Sequence, residues 1–320
     1  MREIPLIEAI REAYIEEMKA DERVLMIGQD IRGASWPNQM GLIQMFGEDR
    51  ILDTPISETG MYGAAMGAAM MGYRPIVDFM FAGLSYIAAS EIMLQTSQYY
   101  FLHGGRVSVP LVITGVAGGG AKLANEHSMT PHGFYLHHPG IKVAFASNSY
   151  DAKGLMKSAI RDNNPVALFW HMGLMMDPGP VPEEEYVIPL GVADVKREGR
   201  DVTVVATGLM VKYALAAADT LADEISVEVI DPRTFEPLDL DKILRSLEKT
   251  NRLVIVDEDT ERCGFAGELM AQVVEKGFDL LDAPMIRVCN RNLPLPGGYL
   301  EQLVLPSVDR VIAAIREVAA

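Results

Sequence analysis

A chain of 320 residues, 49% apolar and 22% charged, has room for two globular domains, which excludes disordered and collagen-like classes. Its 28 Lys and Arg against 44 Asp and Glu leave a formal charge of −16, which repels nucleic-acid phosphates and anionic lipid, so neither is expected as a partner. No uncharged stretch reaches the roughly 20 apolar residues of a membrane helix, and two cysteines, Cys263 and Cys289, point to a reducing, cytoplasmic setting without a disulfide framework.

Met1 leads into Arg2 and Glu3 with no apolar signal core, so no secretory leader is expected. Ile7, Ile10, Tyr14 and Met18 then recur at steps of three and four, which predicts an amphipathic helix over 5–20. A strand follows at 24–27. Strand-length apolar runs at 75–80, 109–114, 142–146 and 165–170 alternate with helix-length segments at 60–72, 84–101 and 150–162. That βαβ rhythm implies a mostly parallel sheet covered by helices. Around 172–190 periodicity gives way to proline, glycine and acid, the composition of an interdomain linker. The rhythm restarts with strands near 202–207, 225–230, 252–257 and 285–289 and helices near 209–223, 239–250, 264–277 and 307–318. The expected fold is therefore α/β with two domains, 1–185 and 186–320, each a mostly parallel sheet flanked by helices.

The helix over 60–72 is made almost entirely of small residues: Gly60, Gly63, Ala64, Ala65, Gly67, Ala68, Ala69 and Gly72. Glycine inside a helix costs about 1 kcal/mol against alanine, so another backbone should approach closely, within the domain or across a subunit contact.

Open parallel sheets bind ligands beyond the carboxyl ends of their strands, and three loops there are informative. DTPISE at 53–58 puts Glu58 at the entrance to the small-residue helix, where a carboxylate either complements the helix dipole or hydrogen-bonds a heterocyclic ligand. GVAGGG at 115–120 resembles a phosphate-cradling loop but lacks P-loop and dinucleotide spacing, so a flexible loop is expected. Five of the six histidines, His103, His127, His132, His137 and His138, fall in one stretch among prolines and glycines, without the same-face spacing of a helical metal site. His127, between Glu126 and Ser128, is either a solvated histidine or a proton donor and acceptor near neutral pH.

In combination, DTPISE (53–58) with the Gly/Ala helix, RPIVDFMF (74–81), His127-Ser128, PGIKV (139–143), YDAKGLMKSAIRDNNPV (150–166) and DPRTFEPLD (231–239) resemble the β subunit of the thiamine diphosphate-dependent 2-oxo acid dehydrogenases, the group of pyruvate, branched-chain 2-oxo acid and acetoin dehydrogenases. The resemblance runs nearly end to end. It implies a transketolase-like pyrimidine-binding domain followed by a transketolase C-terminal-type domain that builds subunit contacts and docks a lipoyl-bearing acyltransferase. It further implies a thiamine diphosphate site shared in an α2β2 heterotetramer, in which the α subunit holds the Mg2+ diphosphate end. This chain fits that division in having no Gly-Asp-Gly followed by paired asparagines.

By the same resemblance Glu58 bonds a pyrimidine ring nitrogen, His127 steers protons or the lipoyl group, and Ile56, Met80 and Leu84 line the cofactor pocket. Leu111, Ala159, Ile160, Asp162 and Asn164 match a segment that holds potassium in some relatives, although Asp162 to Pro165 also reads as a helix stop. Departures fall near the cleft: Leu84 replaces a frequent aromatic, Ile87 a polar residue, Ser90-Glu91 an Asp-Gln pair and Gln29 a glutamate. They leave the substrate open between 2-oxo acids, diketones and acyloins. Two other readings stand beside this one. Half of a split transketolase needs basic residues for sugar phosphates, which are scarce around Glu58 and His127; a non-catalytic assembly subunit need not keep both Glu58 and His127.

Overall fold

The computed structural model describes residues 1–320. The first half runs β1 (Arg2–Pro5), α1 (Leu6–Ala20), β2 (Val24–Gln29), α2 (Leu42–Phe46), β3 (Ile51–Thr54), α3 (Glu58–Met70), β4 (Arg74–Phe81), α4 (Ser97–Leu102), β5 (Val112–Ala117), α5 (His132–Leu136), β6 (Lys142–Ala146), α6 (Ser149–Arg161), β7 (Val166–His171) and β8 (Pro178–Val181). The second runs β9 (Asp194–Arg197), β10 (Val202–Ala206), α7 (Leu209–Thr220), β11 (Val227–Asp231), β12 (Thr234–Glu236), α8 (Leu240–Thr250), β13 (Leu253–Thr260), α9 (Phe265–Gly277), β14 (Ile286–Asn290) and α10 (Val308–Ala319). No helix is long and apolar enough to cross a membrane.

A seven-stranded sheet has the order β12-β6-β7-β5-β4-β2-β3 and a five-stranded sheet the order β14-β13-β10-β11-β9; only β12 and β9 run antiparallel. Parallel strands covered on both faces have no solvent side, which is why β2, β5 and β7 are apolar runs buried at every position. The two sheets are not independent. β12 comes from the second half of the chain and closes the edge of the first sheet against β6. One apolar cluster also runs from Val77 and Phe79 of β4 to Phe235, Ile255 and Phe265. A shared core of this kind sets the relative position of the sheets, where a thin polar contact would leave them free to move.

Two segments depart from the sequence-based expectation. The segment expected as one helix over 84–101 is wound as a 3-10 turn at Ala82–Ala88 and π turns at Ser90–Thr96 before α4. Its start passes close to another segment, since a Cβ on Gly83 would stand 2.8 Å from the Glu126 carbonyl oxygen. The expected linker at 172–190 is pinned down. Pro178–Val181 pairs with β1, and the Ile188 amide donates to the Gly154 carbonyl of α6 at 3.2 Å.

Candidate active site

The carboxyl ends of β2, β3, β4 and β5 lie on one side of the first sheet, and the turn Ala82–Ala88 sits over them. From β3 the chain passes Pro55, the exposed Ile56 and Ser57 into Glu58, the first residue of α3. Glu58 is only 5% exposed, and no side chain of this protein pairs with it. A carboxylate at a helix entrance is favourably placed by the dipole; this one has no donor among the side chains of the protein and is left open to a hydrogen-bond donor from outside the chain. Thr59 joins this helix entrance to the turn by donating to the Ile87 carbonyl at 3.1 Å.

On the other side of the same turn stands His127, placed by a relay of contacts that begins in the core. Asp78, buried in β4, accepts the Gln39 amide at 2.9 Å and the Met80 backbone N–H at 2.8 Å; burial raises its pKa, and these two bonds only partly offset the rise. Gln39 in turn accepts the Trp36 backbone N–H at 3.2 Å. Met80 is held at φ +67°, within a register shift between β4 and β5 that spans Asp78 to Phe81. Such a bulge re-aims the side chain that follows it. Here Phe81 meets Trp36 edge-on at 5.5 Å and His127 edge-on at 4.5 Å. Edge-on pairs of this kind contribute about 0.5 to 1.5 kcal/mol beyond the area they bury, and Glu126 stands 3.4 Å from Nδ1 of His127. Thr59, next to Glu58, and the Glu126 carbonyl, next to His127, thus both meet the turn that carries Leu84; Leu84 and Met80 are half-buried and Ile56 is 76% exposed.

The segment that the resemblance matches to a potassium site lies at the opposite, amino end of the sheet. There Arg74 donates to the carbonyls of Ile160 at 3.0 Å and Asp162 at 2.8 Å, Lys142 meets the Asp162 carboxylate at 2.5 Å, and Val166 donates to Leu111. Asn164 bonds Asp162, and the Ala159 carbonyl accepts the Asp162 amide. Two cations of the chain itself therefore already neutralise this turn.

GVAGGG does not behave as a flexible loop. Gly115 to Ala117 belong to β5, and Gly118, at φ +89°, leaves room for the His171 ring where a Cβ would collide. The Gly119 N–H points at a carboxylate of the protein, Glu258 Oε1, at 2.6 Å. In the run Glu183-Glu184-Glu185, Glu185 pairs with Arg161 at 2.5 Å.

Sequence reasoning missed the acids at the end of β13. Successive strand residues face opposite sides, so Asp257 and Asp259 turn toward His132 while Glu258 turns toward His171. His132 Nε2 lies 3.0 Å from Asp257, which also accepts the Thr207 hydroxyl at 2.7 Å; Asp259 accepts the Gly133 N–H at 3.2 Å. His171 Nδ1 accepts the Gly173 N–H at 2.9 Å, so the proton is on Nε2 and is donated to Glu258 at 2.7 Å. The available signal was DED at the close of an apolar strand, two acids on one face and one on the other.

Burial alone would depress the pKa of His132, but the charge of Asp257 and its hydrogen bond, with Asp259 and Glu258 behind it, raise it above the ordinary value. A group whose folded pKa is raised contributes stability that is complete below its unfolded pKa of about 6.5 and is lost as pH climbs through the folded value. The melting-temperature difference between the parent protein and His132→Gln should accordingly be largest near pH 6 and shrink toward pH 9. A difference that grows with pH would contradict the pairing.

The small-residue helix packs only part of its surface. Met61, Tyr62, Ala65, Met66 and Ala69 are buried, while Gly60, Ala64 and Gly67 are exposed and a Cβ on Gly63 or Gly67 would meet nothing within 4 Å.

Residues 2–177 match the family model described as transketolase, pyrimidine binding domain, and residues 191–311 match transketolase, C-terminal domain. Among curated proteins the chain is 43% identical to the acetoin:2,6-dichlorophenolindophenol oxidoreductase subunit beta of Bacillus subtilis (strain 168), covering 99% of this chain and 97% of that protein. It is 40% identical to the pyruvate dehydrogenase E1 component subunit beta of the same organism, covering 99% of both, and 39% identical to its 2-oxoisovalerate dehydrogenase subunit beta, covering 98% of both. Among solved structures it superposes on a split gene transketolase, described as an inactive beta4 tetramer, with a TM-score of 0.81 over 99% of this chain and 98% of that one; at 21% identity this likeness is one of fold.

Proposed function

The chain belongs to the β subunits of the thiamine diphosphate-dependent 2-oxo acid and acetoin dehydrogenases, and from that premise we propose that it forms the aminopyrimidine half of a catalytic site completed by an α subunit. The observation that carries the proposal is Glu58, a nearly buried carboxylate at the start of a helix with no partner of its own. A pyrimidine ring nitrogen supplies the missing partner. Glu58 fits this role, Met80 and Leu84 would line the ring's pocket, and Ile56 stands at its rim. Thiamine diphosphate, when bound, supplies the electron sink for cleaving a carbon–carbon bond next to a carbonyl. Glu58 holds a proton between its carboxylate and the ring nitrogen, and its fixed position makes that sharing effective. His127, with Nδ1 turned toward Glu126, moves a proton at Nε2 on the substrate side.

The exposed small face of α3 is the surface we assign to a neighbouring subunit, because only another backbone compensates for so many glycines in one helix. Mg2+ and the diphosphate belong to the α subunit in this reading, and the acyl group of a 2-oxo acid or acyloin passes to a lipoyl-bearing acyltransferase. The role we give the turn of Asp162 and Asn164 is structural, with Arg74 and Lys142 in the place of an added potassium ion. Arg50 and Arg74 offer no charge to a sugar-phosphate substrate, since both stand at the amino end of the first sheet, away from Glu58 and His127, and are committed to backbone carbonyls.

Reconstitution tests the proposal. The chain alone should bind thiamine diphosphate and Mg2+ weakly, whereas the chain with its α subunit should bind both and reduce an artificial dye with pyruvate, a branched-chain 2-oxo acid or acetoin. A reconstituted pair that binds no cofactor, or that transfers ketol units between sugar phosphates, would overturn it.

A further inference from the structure

We infer that the second half of the chain positions His127, through Asp257, Glu258 and Asp259 at the end of β13 and Glu301 farther on; this rests on the reading of His127 given above. His127 lies in the segment 118–131 between β5 and α5; the Pro131 carbonyl accepts from the Phe134 and Tyr135 amides of α5, and every hydrogen bond leaving the segment that involves a side chain runs to the second half. At its entrance the Gly119 N–H donates to Glu258 at 2.6 Å. In its middle the Lys122 N–H donates to Glu301 at 3.2 Å, the Lys122 carbonyl accepts from Gly298 at 3.3 Å, and Asn125 Oδ1 accepts from Leu295 at 3.2 Å. At its exit His132 is bonded to Asp257 and the Gly133 N–H to Asp259.

A second observation points the same way. Lys122 and Ala124 are held at φ +64° and +67°, a conformation that side-chain-bearing residues rarely adopt. Strained residues persist only where the surroundings over-determine them, and both the N–H and the carbonyl of Lys122 are bonded to the second half. The tethers fix the strained approach to His127, while Phe81 fixes its ring from the first half. The acids touch neither substrate nor cofactor in this arrangement and act through the loop, as positioning residues.

Glu258→Gln tests the inference with little change of shape. Glu258 accepts from both Gly119 and His171, and an amide has one acceptor oxygen, so one of the two bonds is lost whichever way it turns. Displacement of a catalytic group by about 1 Å costs on the order of 100-fold in rate. In the enzyme reconstituted with its α subunit, Glu258→Gln should lower kcat by about 10- to 100-fold, leave KM nearly unchanged, alter the limb of the pH–rate profile that His127→Ala abolishes, and speed hydrogen exchange across 118–131. Asn125→Ala removes a different tether at a partly exposed position and should give the same pattern, should Glu258→Gln fail to fold. Lys249→Ala, which breaks a pair with Glu228 remote from the loop, should lower the melting temperature and leave kcat intact.

An unchanged kcat in the two loop variants, or a loss without faster exchange in 118–131, overturns the inference and leaves the proposed function standing. Full turnover by His127→Ala is a different failure. It removes the role given to His127, while exchange in 118–131 still reports whether the second half holds the loop.

Discussion

Replacing Glu58 by alanine lowers turnover of the reconstituted enzyme by about 100- to 10,000-fold, the range by which positioned acid–base groups contribute. The expectation rests on the place of this largely buried residue at the entrance to α3 and the absence of a side-chain partner for its carboxylate. A residue placed there only to complement the helix dipole would contribute about 0.3 to 1 kcal/mol of stability, and its loss would leave the rate unchanged. Rate and melting temperature therefore separate the two roles. The side chain makes no hydrogen bond or ion pair within the protein, so the variant should lose no more than about 1 kcal/mol of stability while being nearly inactive. Glu58→Gln sharpens the result, because an amide keeps the shape but not the proton-sharing capacity of a carboxylate. Activity close to that of the parent in Glu58→Ala would move the chain to the class of non-catalytic assembly subunits.

The second large effect is expected at His127. Its loss as His127→Ala should lower overall turnover by about 100-fold or more, with the greater loss in transfer to a lipoyl acceptor and the smaller in reduction of an artificial dye that needs no docked lipoyl group. Phe81→Leu should reproduce part of the loss, since it keeps apolar bulk but removes the edge that meets His127 at 4.5 Å. Equal losses with both acceptors would place His127 in the bond-cleaving half of the reaction and not in transfer. No loss with either would return it to the solvated histidines.

Most of the fold was legible in the sequence because it follows from local periodicity. β2, β4, β6, β7 and most of the helices lie within a few residues of their expected positions, since an apolar run of strand length or an apolar stripe at steps of three and four has few ways to bury itself. The exceptions are set by other parts of the chain. The segment after β4 is wound as 3-10 and π turns and lies at Gly83 against the turn of Glu126, and Pro178–Val181 is a strand because β1 lies beside it.

The candidate site divides along the same line. Glu58 and His127 could be named only through the resemblance carried by DTPISE, His-Ser and their neighbouring blocks, since by residue type alone they read equally as an acid on a helix dipole and a solvated histidine. The frame that holds His127 could not. Asp257 and His132 are 125 positions apart, Gly119 and Glu258 139, and Lys122 and Glu301 179, and no local pattern announces such pairs. Length, composition and period by themselves determined a two-domain α/β chain with an acid at a helix entrance and a histidine in a loop. Tertiary structure alone decided that the acid is buried without a partner, that the histidine is aimed by Phe81, and that the carboxylates of the second half grip the loop between them. The physical reason is that burial and pairing depend on which distant segments meet, and only the closed core joining the two sheets brings those segments together.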